Sequence, residues 1–434
     1  MRAGDSYFEP HIETIPRDRL EALQERRLRS ILPQVYRNSG LIRQVWEEAG
    51  ITPDDIQTLD DFRTRVPFID KDRIRRFRDE NNDPYGGIKI VPDGHVHAVG
   101  FTSGTTGDPT PVPFGRASAT ETQSLRDYWH IGARPGDFVT HFLFTFRGGQ
   151  SRLNWHNGAG WTAIMGPHDP AELPGMIEAI RKYRPTILYM LSTPMMIGLE
   201  KYFESTNVDP REIFSSIKGA VFGGEPLSPR FKRLAGEWGL EIFEYSTFGD
   251  VCGAMECRMH DGLHGWEDIG LVENLDDDGN PVPDGEVGEM VVTALEDPIA
   301  PLIRYRTEDL IRLDRSTCGC GRTHARFWPL GRKGDRTIVQ GKAILPRDIQ
   351  SLIELHRETR ACLFQIIRPQ EELEMLRLRV GYDVGATPDV AALKSRLDTE
   401  LAGLFAVPSE VELVPEEDLL KLGPPQKIPR VTKQ

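Results

Sequence analysis

The sequence predicts an α/β fold, in which helices flank the parallel sheets of a large N-terminal domain and a small α+β domain follows. Three observations lead to this prediction. The chain has 434 residues, enough for a large core and a smaller appended unit. Short apolar runs alternate with stretches of helical periodicity from about residue 97 onward. A charged segment with two glycines, 331–335, then precedes the last part of the chain.

The individual elements follow from these local patterns. Apolar residues at steps of three and four over 15–50 predict a helical lead-in, which extends to about residue 95. In the alternating part we predict strands at 139–146, 162–166, 187–191 and 220–222, and helices at 116–132, 169–183, 195–204 and 228–238. Antiparallel strands are predicted at 289–293 and 311–313. The last part is predicted to hold strands at 361–368, 375–381 and 409–414, and helices at 346–356 and 388–405. The predicted domains are 1–330 and 336–434, joined by a hinge at 331–335.

Charge and composition exclude several classes of protein. The formal net charge is −13, so nucleic-acid binding is not expected as a main role. No apolar run reaches the roughly 18 residues of a membrane span. The N-terminal residues also lack the apolar core of a signal peptide, so we expect a cytoplasmic protein with no membrane partner. Five cysteines, an odd number, do not indicate a disulfide scaffold.

Residues 101–110 combine two glycines with small hydroxyl side chains. The glycines permit tight turns that direct backbone N–H groups inward, and the hydroxyls add donors without bulk. The residues that would hold a triphosphate are Thr102, Ser103, Gly104, Thr105, Thr106 and Gly107. The Lys-Ser/Thr ending of a P-loop is missing, which argues against a P-loop NTPase. On local sequence alone, a surface turn is an equally good interpretation.

Four further segments and one lysine follow this loop in order. They are Gly223-Gly224-Glu225-Pro226, Tyr245 to Asp250, Arg304 to Asp309, Gly331 to Asp335, and Lys427. Together with the loop, they resemble the adenylate-forming superfamily of acyl-CoA synthetases over nearly the whole chain. The chain is most similar to the phenylacetate–CoA ligase branch, because Thr110 stands where most of the superfamily has lysine. The large domain would then be the adenylate-forming, AMP-binding domain, and the small domain would be mobile.

This resemblance implies a nucleotide site. The glycine-rich loop would hold the β- and γ-phosphates of ATP, and Lys427 would reach the attacking carboxylate and the α-phosphate. Asp309 would accept hydrogen bonds from both ribose hydroxyls, and Arg332 would also contact the ribose. The other residues of the implied nucleotide site are Gly224, Glu225 and Pro226, as a wall against the adenine face, together with Tyr245 and Ser246.

Two segments depart from the family pattern. Relatives place a glutamate on magnesium shortly after the tyrosine, whereas this chain has Tyr-Ser-Thr-Phe-Gly-Asp. We therefore assign magnesium to Asp250, with Glu256 in reserve. In the hinge, Gly334 replaces the first of two aspartates and Asp335 remains, so the pair would form the pivot. Gly341 would approach the pantetheine arm of coenzyme A after the small domain has rotated.

Cysteines and histidines suggest a separate metal site. The candidate ligands are Cys257, Cys318, Cys320 and one of His260, His264 and His324. Three sulfurs and one imidazole suit tetrahedral zinc. The segment 318–324 resembles that of branch members expected to hold structural zinc, and position favours His264 as the fourth ligand. Free buried thiols are the alternative, which we expect for Cys252 and Cys362.

By resemblance, the acid would bind beside the strand 141–149 and the segment before Gly223. Phe144, Arg147 and Gly148 are the pocket candidates, although Arg147 could instead pair with a nearby carboxylate. The implied substrate is an aromatic or cyclic carboxylic acid such as an arylacetate.

The implied reaction is that of an acid–thiol ligase: the acid and ATP give acyl-AMP and pyrophosphate, and coenzyme A then displaces AMP. The implied cofactors are ATP, Mg²⁺ and coenzyme A, and family members often form homodimers. Two alternatives remain open. One is an adenylating enzyme whose acceptor is an amine, a phenol or a carrier protein. The other is a nucleotide-binding regulator with a disabled site, suggested by the altered segment 245–250 and by Gly334.

Overall fold

The computed structural model describes residues 6–101, 110–115, 120–141, 160–165, 172–248, 251–422 and 428–433. The chain divides into two compact units. The first comprises Met1–Val139, Leu143–Ile164 and Phe243–Pro329. The second comprises Thr140–Phe142, Met165–Ile242 and Leu330–Gln434. The predicted limits of the large and small domains remain predictions.

Helices and strands alternate through the middle of the chain as the sequence predicts. Up to residue 165 the elements are α1 (Pro10–Glu13), α2 (Arg17–Asn38), α3 (Gly40–Glu48), α4 (Leu59–Arg65), α5 (Lys71–Asn81), β1 (Ala98–Phe101), β2 (Pro111–Phe114), α6 (Thr120–His130), β3 (Phe138–His141) and β4 (Thr162–Met165). Next come α7 (Leu173–Tyr183), β5 (Ile187–Leu191), α8 (Thr193–Ser205), α9 (Pro210–Ile213), β6 (Gly219–Gly223), α10 (Pro229–Glu237), β7 (Ile242–Phe248), β8 (Cys252–Glu256), β9 (Leu263–Gly265), β10 (Gly270–Leu275), β11 (Val287–Ala294), β12 (Tyr305–Asp314) and β13 (Arg326–Arg332). The last part holds β14 (Thr337–Val339), β15 (Lys342–Ile344), α11 (Pro346–Ile353), β16 (Phe364–Ile367), β17 (Glu372–Leu373), β18 (Leu376–Tyr382), α12 (Val390–Phe405), β19 (Ser409–Pro415), α13 (Glu416–Leu420) and β20 (Val431–Thr432).

The first unit joins the helical lead-in to antiparallel strands. Seven of its described strands follow the order β10-β11-β12-β13-β9-β8-β7. The prediction of antiparallel strands at 289–293 and 311–313 is confirmed by β11 and β12, in which Glu289 is opposite Leu310 and Gly288 is opposite Ile311. α2 buries Leu20, Leu28 and Leu32 on one face, which is the periodicity seen in the sequence. These helices and strands share one hydrophobic core, in which Trp46 and Trp266 are almost completely buried.

The second unit contains the parallel pairing that the sequence predicts. β5 pairs parallel with β6, and both strands lie next to amphipathic helices in the chain. In its C-terminal part, four strands follow the order β19-β18-β16-β20, and α12 buries Leu393, Leu397 and Leu401 on one face. None of the described helices is both long and apolar enough to cross a membrane.

Candidate active site and metal centre

Part of the predicted active site lies outside the described residues. This part comprises Thr102, Ser103, Gly104, Thr105, Thr106, Gly107, Phe144, Arg147, Gly148, Asp250 and Lys427. The chain leaves β1 at Phe101 and enters β2 at Pro111, and these two residues are paired in antiparallel register. The predicted phosphate loop therefore connects two adjacent antiparallel strands.

Asp309 lies in a β-bulge. Where β12 pairs with β11, Glu289 is opposite Leu310 and Val291 is opposite Arg306. Three residues of β12, 307–309, therefore face one residue of β11. Glu308 has a φ of 65°, in the left-handed region that residues other than glycine rarely adopt. Such a bulge interrupts the regular alternation of side chains and changes the direction of the one that follows.

Two ion pairs lie directly before this bulge, one buried and one partly buried, and the sequence does not reveal them. Arg304 is 4% exposed and makes two hydrogen bonds to the Glu273 carboxylate, at 3.1 and 2.8 Å. Arg306 donates to Glu289 Oε2 at 2.7 Å. The sequence shows two arginines on either side of Tyr305, which does not reveal their partners. A buried arginine needs a paired carboxylate, so these contacts fix the start of β12.

Tyr245 and Ser246 lie on β7, opposite Met255 and Ala254 of β8. Gly253, also on β8, explains how the Tyr245 ring fits. A Cβ atom at Gly253 would lie 2.5 Å from Tyr245 Oη, so only glycine leaves room for the phenol. Tyr245, Ser246 and Asp309 all belong to the first unit.

Gly224, Glu225 and Pro226 belong to the second unit. Gly224 has a φ of 96°, which favours glycine at this turn after β6. Glu225 Oε1 accepts a hydrogen bond from the backbone N–H of Thr193, the first residue of α8, at 3.2 Å. Desolvation raises the pKa of Glu225, while the nearby Arg430 guanidinium opposes that shift.

The predicted pivot residues form a single turn of 3₁₀-helix, 333–335, directly after Arg332 at the end of β13. Arg368 supports this turn by donating to the carbonyl oxygens of Gly334, at 2.8 Å, and Arg336, at 2.7 Å. Gly341 lies in the tight turn between β14 and β15, with a φ of 75°, and its N–H donates to Glu372 at 3.0 Å.

Three cysteines and one histidine of the first unit meet at one point. The ligand atoms of Cys257, His264, Cys318 and Cys320 all lie within 4.8 Å of one another. The Sγ atoms of Cys257 and Cys318 are 3.7 Å apart, and Cys320 Sγ is 3.4 Å from His264 Nε2. Tetrahedral zinc places two sulfurs about 3.8 Å apart and a sulfur and a nitrogen about 3.6 Å apart. The four donors therefore fit zinc in number, type and spacing.

Hydrogen bonds distinguish the three candidate histidines. His264 Nδ1 is 3.2 Å from the carbonyl oxygen of His324, which leaves Nε2 directed at the sulfurs. His324 instead accepts the N–H of Glu267 through Nδ1 and contacts the carbonyl oxygen of Ile12 through Nε2. His260 Nδ1 is 3.0 Å from Glu256 Oε2. That carboxylate also accepts the N–H of Glu244 at 3.1 Å, so Glu256 is held by protein donors and is a poor reserve ligand for magnesium.

Residues of the N-terminal segment enclose this cluster. Arg322 donates to Cys320 Sγ at 3.7 Å and to Glu13 Oε2 at 2.7 Å, and Glu13 is completely buried. Tyr7 Oη donates to the carbonyl oxygen of Cys320 at 2.7 Å. The hydrogen bond from Cys257, and then His264, lower the pKa of the Cys320 thiol, which favours the thiolate that a metal requires. Contacts across more than 300 residues leave no local signal in the sequence, so Glu13 was missed.

The buried carboxyl of Asp127 makes the stability of the first unit depend on pH. Its carboxyl is 3% exposed and accepts a hydrogen bond from Trp266 Nε1 at 2.9 Å. Burial raises its pKa from 3.8 to about 7. The folded protein therefore holds a proton that the unfolded chain has lost between these pH values. The resulting stability is complete below the unfolded pKa and is lost as the pH rises through about 7.

We expect Asp127→Asn to become more stable relative to the wild type as the pH rises from about 4 to about 8, by up to about 4 kcal/mol. Asparagine can still accept the Trp266 hydrogen bond but carries no charge. Thermal unfolding of both proteins across this range measures the difference, with the exposed Asp60→Asn as the control. A difference that does not change with pH would show that Asp127 does not titrate in this range.

Comparisons with known proteins support the family that the motifs indicate. A family described as AMP-binding enzyme matches residues 53–294. The phenylacetate-coenzyme A ligase of Thermus thermophilus is 32% identical over 387 residues, covering 86% of this chain and 84% of that protein. The phenylacetate-coenzyme A ligase of Pseudomonas putida is 32% identical, covering 79% and 77%. A crystal structure of 2-hydroxyisobutyryl-CoA ligase in the postadenylation state, with an acyl-AMP ligand, has a TM-score of 0.85 at 25% identity, covering 100% of this chain and 94% of that one.

Proposed function

The chain belongs to the AMP-binding enzyme family, and on that premise we propose that it activates an arylacetic or related aromatic acid. It is an acid–thiol ligase that converts a carboxylic acid, ATP and coenzyme A into acyl-CoA, AMP and pyrophosphate. The observation that supports the substrate class is the 32% identity to a phenylacetate-coenzyme A ligase over 86% of this chain.

The reaction has two steps. A carboxylate oxygen attacks the α-phosphorus of ATP, and the bond to pyrophosphate breaks as acyl-AMP forms. The thiol of coenzyme A then loses its proton and attacks the acyl carbon, and AMP leaves with the carboxylate oxygen. Negative charge accumulates in the first step, so positioned donors are expected to supply most of the rate enhancement.

The groups that would stabilise this negative charge are assigned from the sequence. The side chains and N–H groups from Thr102 to Gly107 hold the outer phosphates, and Lys427 bridges the carboxylate and the α-phosphate. Asp250 would hold magnesium, which neutralises phosphate charge when it is bound. These residues lie outside the described part of the chain, so their assignment rests on motif order.

The other proposed nucleotide contacts involve residues whose backbone conformation is described above. Asp309 in its bulge would accept the ribose hydroxyls, with Arg332 as a second ribose contact. Tyr245, with Ser246 beside it, and the turn 224–226 would hold the adenine. The small domain, 336–434, would rotate about Gly334 and Asp335 between the two steps and bring Gly341 to the pantetheine arm.

We propose that the three cysteines and one histidine form a structural zinc site. Four protein ligands leave no open position on a tetrahedral zinc ion, and an open position is what a catalytic zinc site needs. Cys257, His264, Cys318 and Cys320 would therefore hold zinc to stabilise the first unit. We also propose a cytoplasmic homodimer, which mass measurement in solution and cell fractionation would test.

A screen of acids tests the substrate class. We expect phenylacetate and its ring-substituted forms to give the fastest pyrophosphate release, with kcat/KM at least about 100-fold above that of long straight-chain acids, because a shaped pocket discriminates through several methylene-sized contacts. 2-Hydroxyisobutyrate serves as a small branched control. Phe144, Arg147 and Gly148 are the pocket residues to vary afterwards.

The same screen separates the alternatives. Each acid is assayed with and without coenzyme A, and the thioester is measured directly. Pyrophosphate release without any thioester would indicate an amine, a phenol or a carrier protein as the acceptor. Activity with long straight-chain fatty acids alone would rule out the proposed substrate class, and no release with any acid would favour a nucleotide-binding regulator.

A further inference from the structure

The bulge that carries Asp309 needs support from both sides. A strand with three residues opposite one loses regular ladder hydrogen bonds, and Glu308 holds a strained φ. On the side of β11, Thr307 Oγ1 donates to the carbonyl oxygen of Met290 at 2.9 Å. Thr307 Oγ1 in turn accepts a hydrogen bond from the backbone N–H of Asp309 at 3.1 Å. One buried hydroxyl thus closes the bulge from this side.

The segment Val66 to Lys71 supports the other side. Ile69 donates its N–H to the carbonyl oxygen of Arg304 at 3.1 Å, and its own carbonyl oxygen accepts the N–H of Arg306 at 2.8 Å. These two bonds form a short parallel bridge beside Tyr305. Ile69 is 1% exposed, so the bridge is shielded from water.

Phe68 contacts both arginines that precede the bulge. Its ring centroid lies 4.2 Å from Arg304 Cζ and 5.1 Å from Arg306 Cζ. Each guanidinium is also bound by a carboxylate, Glu273 or Glu289. The arginines are therefore fixed by the aromatic ring as well as by ion pairs, and neither can turn without losing a cation–π contact.

Lys71 reaches the bulge itself. It is the first residue of α5, whose N-cap Asp70 accepts the N–H of Arg73 at 2.7 Å. Lys71 Nζ is 3.5 Å from Glu308 Oε2, the side chain of the strained residue next to Asp309. The Glu308 carboxylate is exposed, so this ion pair contributes little stability, and we assign it a role in orienting Glu308.

We infer that the segment Val66–Lys71 positions Asp309 for the ribose of ATP, with Phe68 as the principal positioning residue. This inference rests on the proposed ribose contact of Asp309. Phe68 does not touch the nucleotide in this mechanism; it acts through Arg304 and Arg306 on the bulge that follows them.

Discrimination between ATP and 2′-deoxy-ATP tests the inference. The wild type should prefer ATP by about 10-fold or more in kcat/KM, because Asp309 is a charged hydrogen-bond acceptor. Phe68→Leu should bring this ratio close to one and raise KM for ATP about 10-fold, with kcat within about threefold. Phe68→Tyr keeps the ring and should restore the preference. A variant that is merely less stable would lose activity with both nucleotides equally and keep the ratio.

Trp328 offers a matched control. Its ring also lies between two arginines, 4.2 Å from Arg312 Cζ and 5.5 Å from Arg326 Cζ, but it makes none of the contacts to the bulge described above. Trp328→Leu should keep the wild-type ratio. If Phe68→Leu does not fold, Lys71→Met tests the same segment through its ion pair with the exposed Glu308 carboxylate and should lower the ratio about threefold.

The outcomes separate the inference from the assignment on which it rests. If the wild type does not discriminate, or Asp309→Ala keeps the preference, the ribose assignment is wrong. If Asp309→Ala abolishes the preference while Phe68→Leu keeps it, the positioning role of the segment is wrong. If Phe68→Leu does not fold, an unchanged ratio in Lys71→Met would also show that the positioning role is wrong.

Discussion

Replacing Lys427 with alanine should lower the rate of acid-dependent adenylation by about 100- to 1000-fold, the usual cost of removing one donor from a developing negative charge. The ammonium group would neutralise the carboxylate and the α-phosphate as they approach each other, a task that water performs poorly in a closed site. Acid-dependent exchange of labelled pyrophosphate into ATP isolates this step. The thioester step, started from synthetic acyl-AMP, should change by less than about tenfold.

Lys433 provides the control for this variant. It lies in the same C-terminal segment and is exposed, so Lys433→Ala should leave both steps at the wild-type rate. Full exchange activity in Lys427→Ala would remove this lysine from the mechanism and would weaken the proposed active site as a whole.

Replacing Cys318 with serine should abolish stoichiometric zinc binding and lower the stability of the first unit by at least about 3 kcal/mol, a fraction of the roughly 10–16 kcal/mol that structural zinc provides in zinc-finger peptides. The loss is smaller here because a large hydrophobic core remains. The remaining thiols and the imidazole would lose the ion that links them, and the buried Arg322–Glu13 ion pair would stay beside an empty site. Metal analysis and thermal unfolding measure the two effects.

Cys362→Ala is the matched control, because Cys362 is a buried thiol of the second unit and does not belong to the cluster. It should keep one zinc ion per chain and unfold close to the wild-type temperature. Full zinc content and unchanged unfolding in Cys318→Ser would contradict the proposed centre, as would a wild-type protein that takes up no zinc.

Regular elements could be predicted from the sequence where periodicity is strong. The predicted helix 228–238 is Pro229–Glu237, and the predicted helix 388–405 is Val390–Phe405. Both have a serine or aspartate cap and a clear apolar face, so local and tertiary preferences agree. The antiparallel strands at 289–293 and 311–313 were also predictable. The bulge at 307–309, in the strand that pairs with β11, was not.

The ion pairs that hold the site residues in place could not be predicted, because they join distant parts of the chain. Arg304 and Glu273 are 31 residues apart, and Arg322 and Glu13 are 309 apart. Periodicity reports which face of an element is buried and carries no information on which carboxylate meets which arginine. The sequence already favoured His264 as the fourth ligand, and the cluster contains it. The contacts that hold the other two histidines, His324 with Glu267 and His260 with Glu256, appear only in the folded protein.

The central claim, that the acid is activated as an acyl-adenylate, can be tested with an acid whose carboxylate oxygens are both oxygen-18. Adenylation joins one of them to the α-phosphorus, and thioester formation breaks its bond to carbon. Mass spectrometry should therefore find one labelled oxygen in AMP and one in the thioester. Labelled inorganic phosphate together with ADP, or AMP without label, would contradict this mechanism.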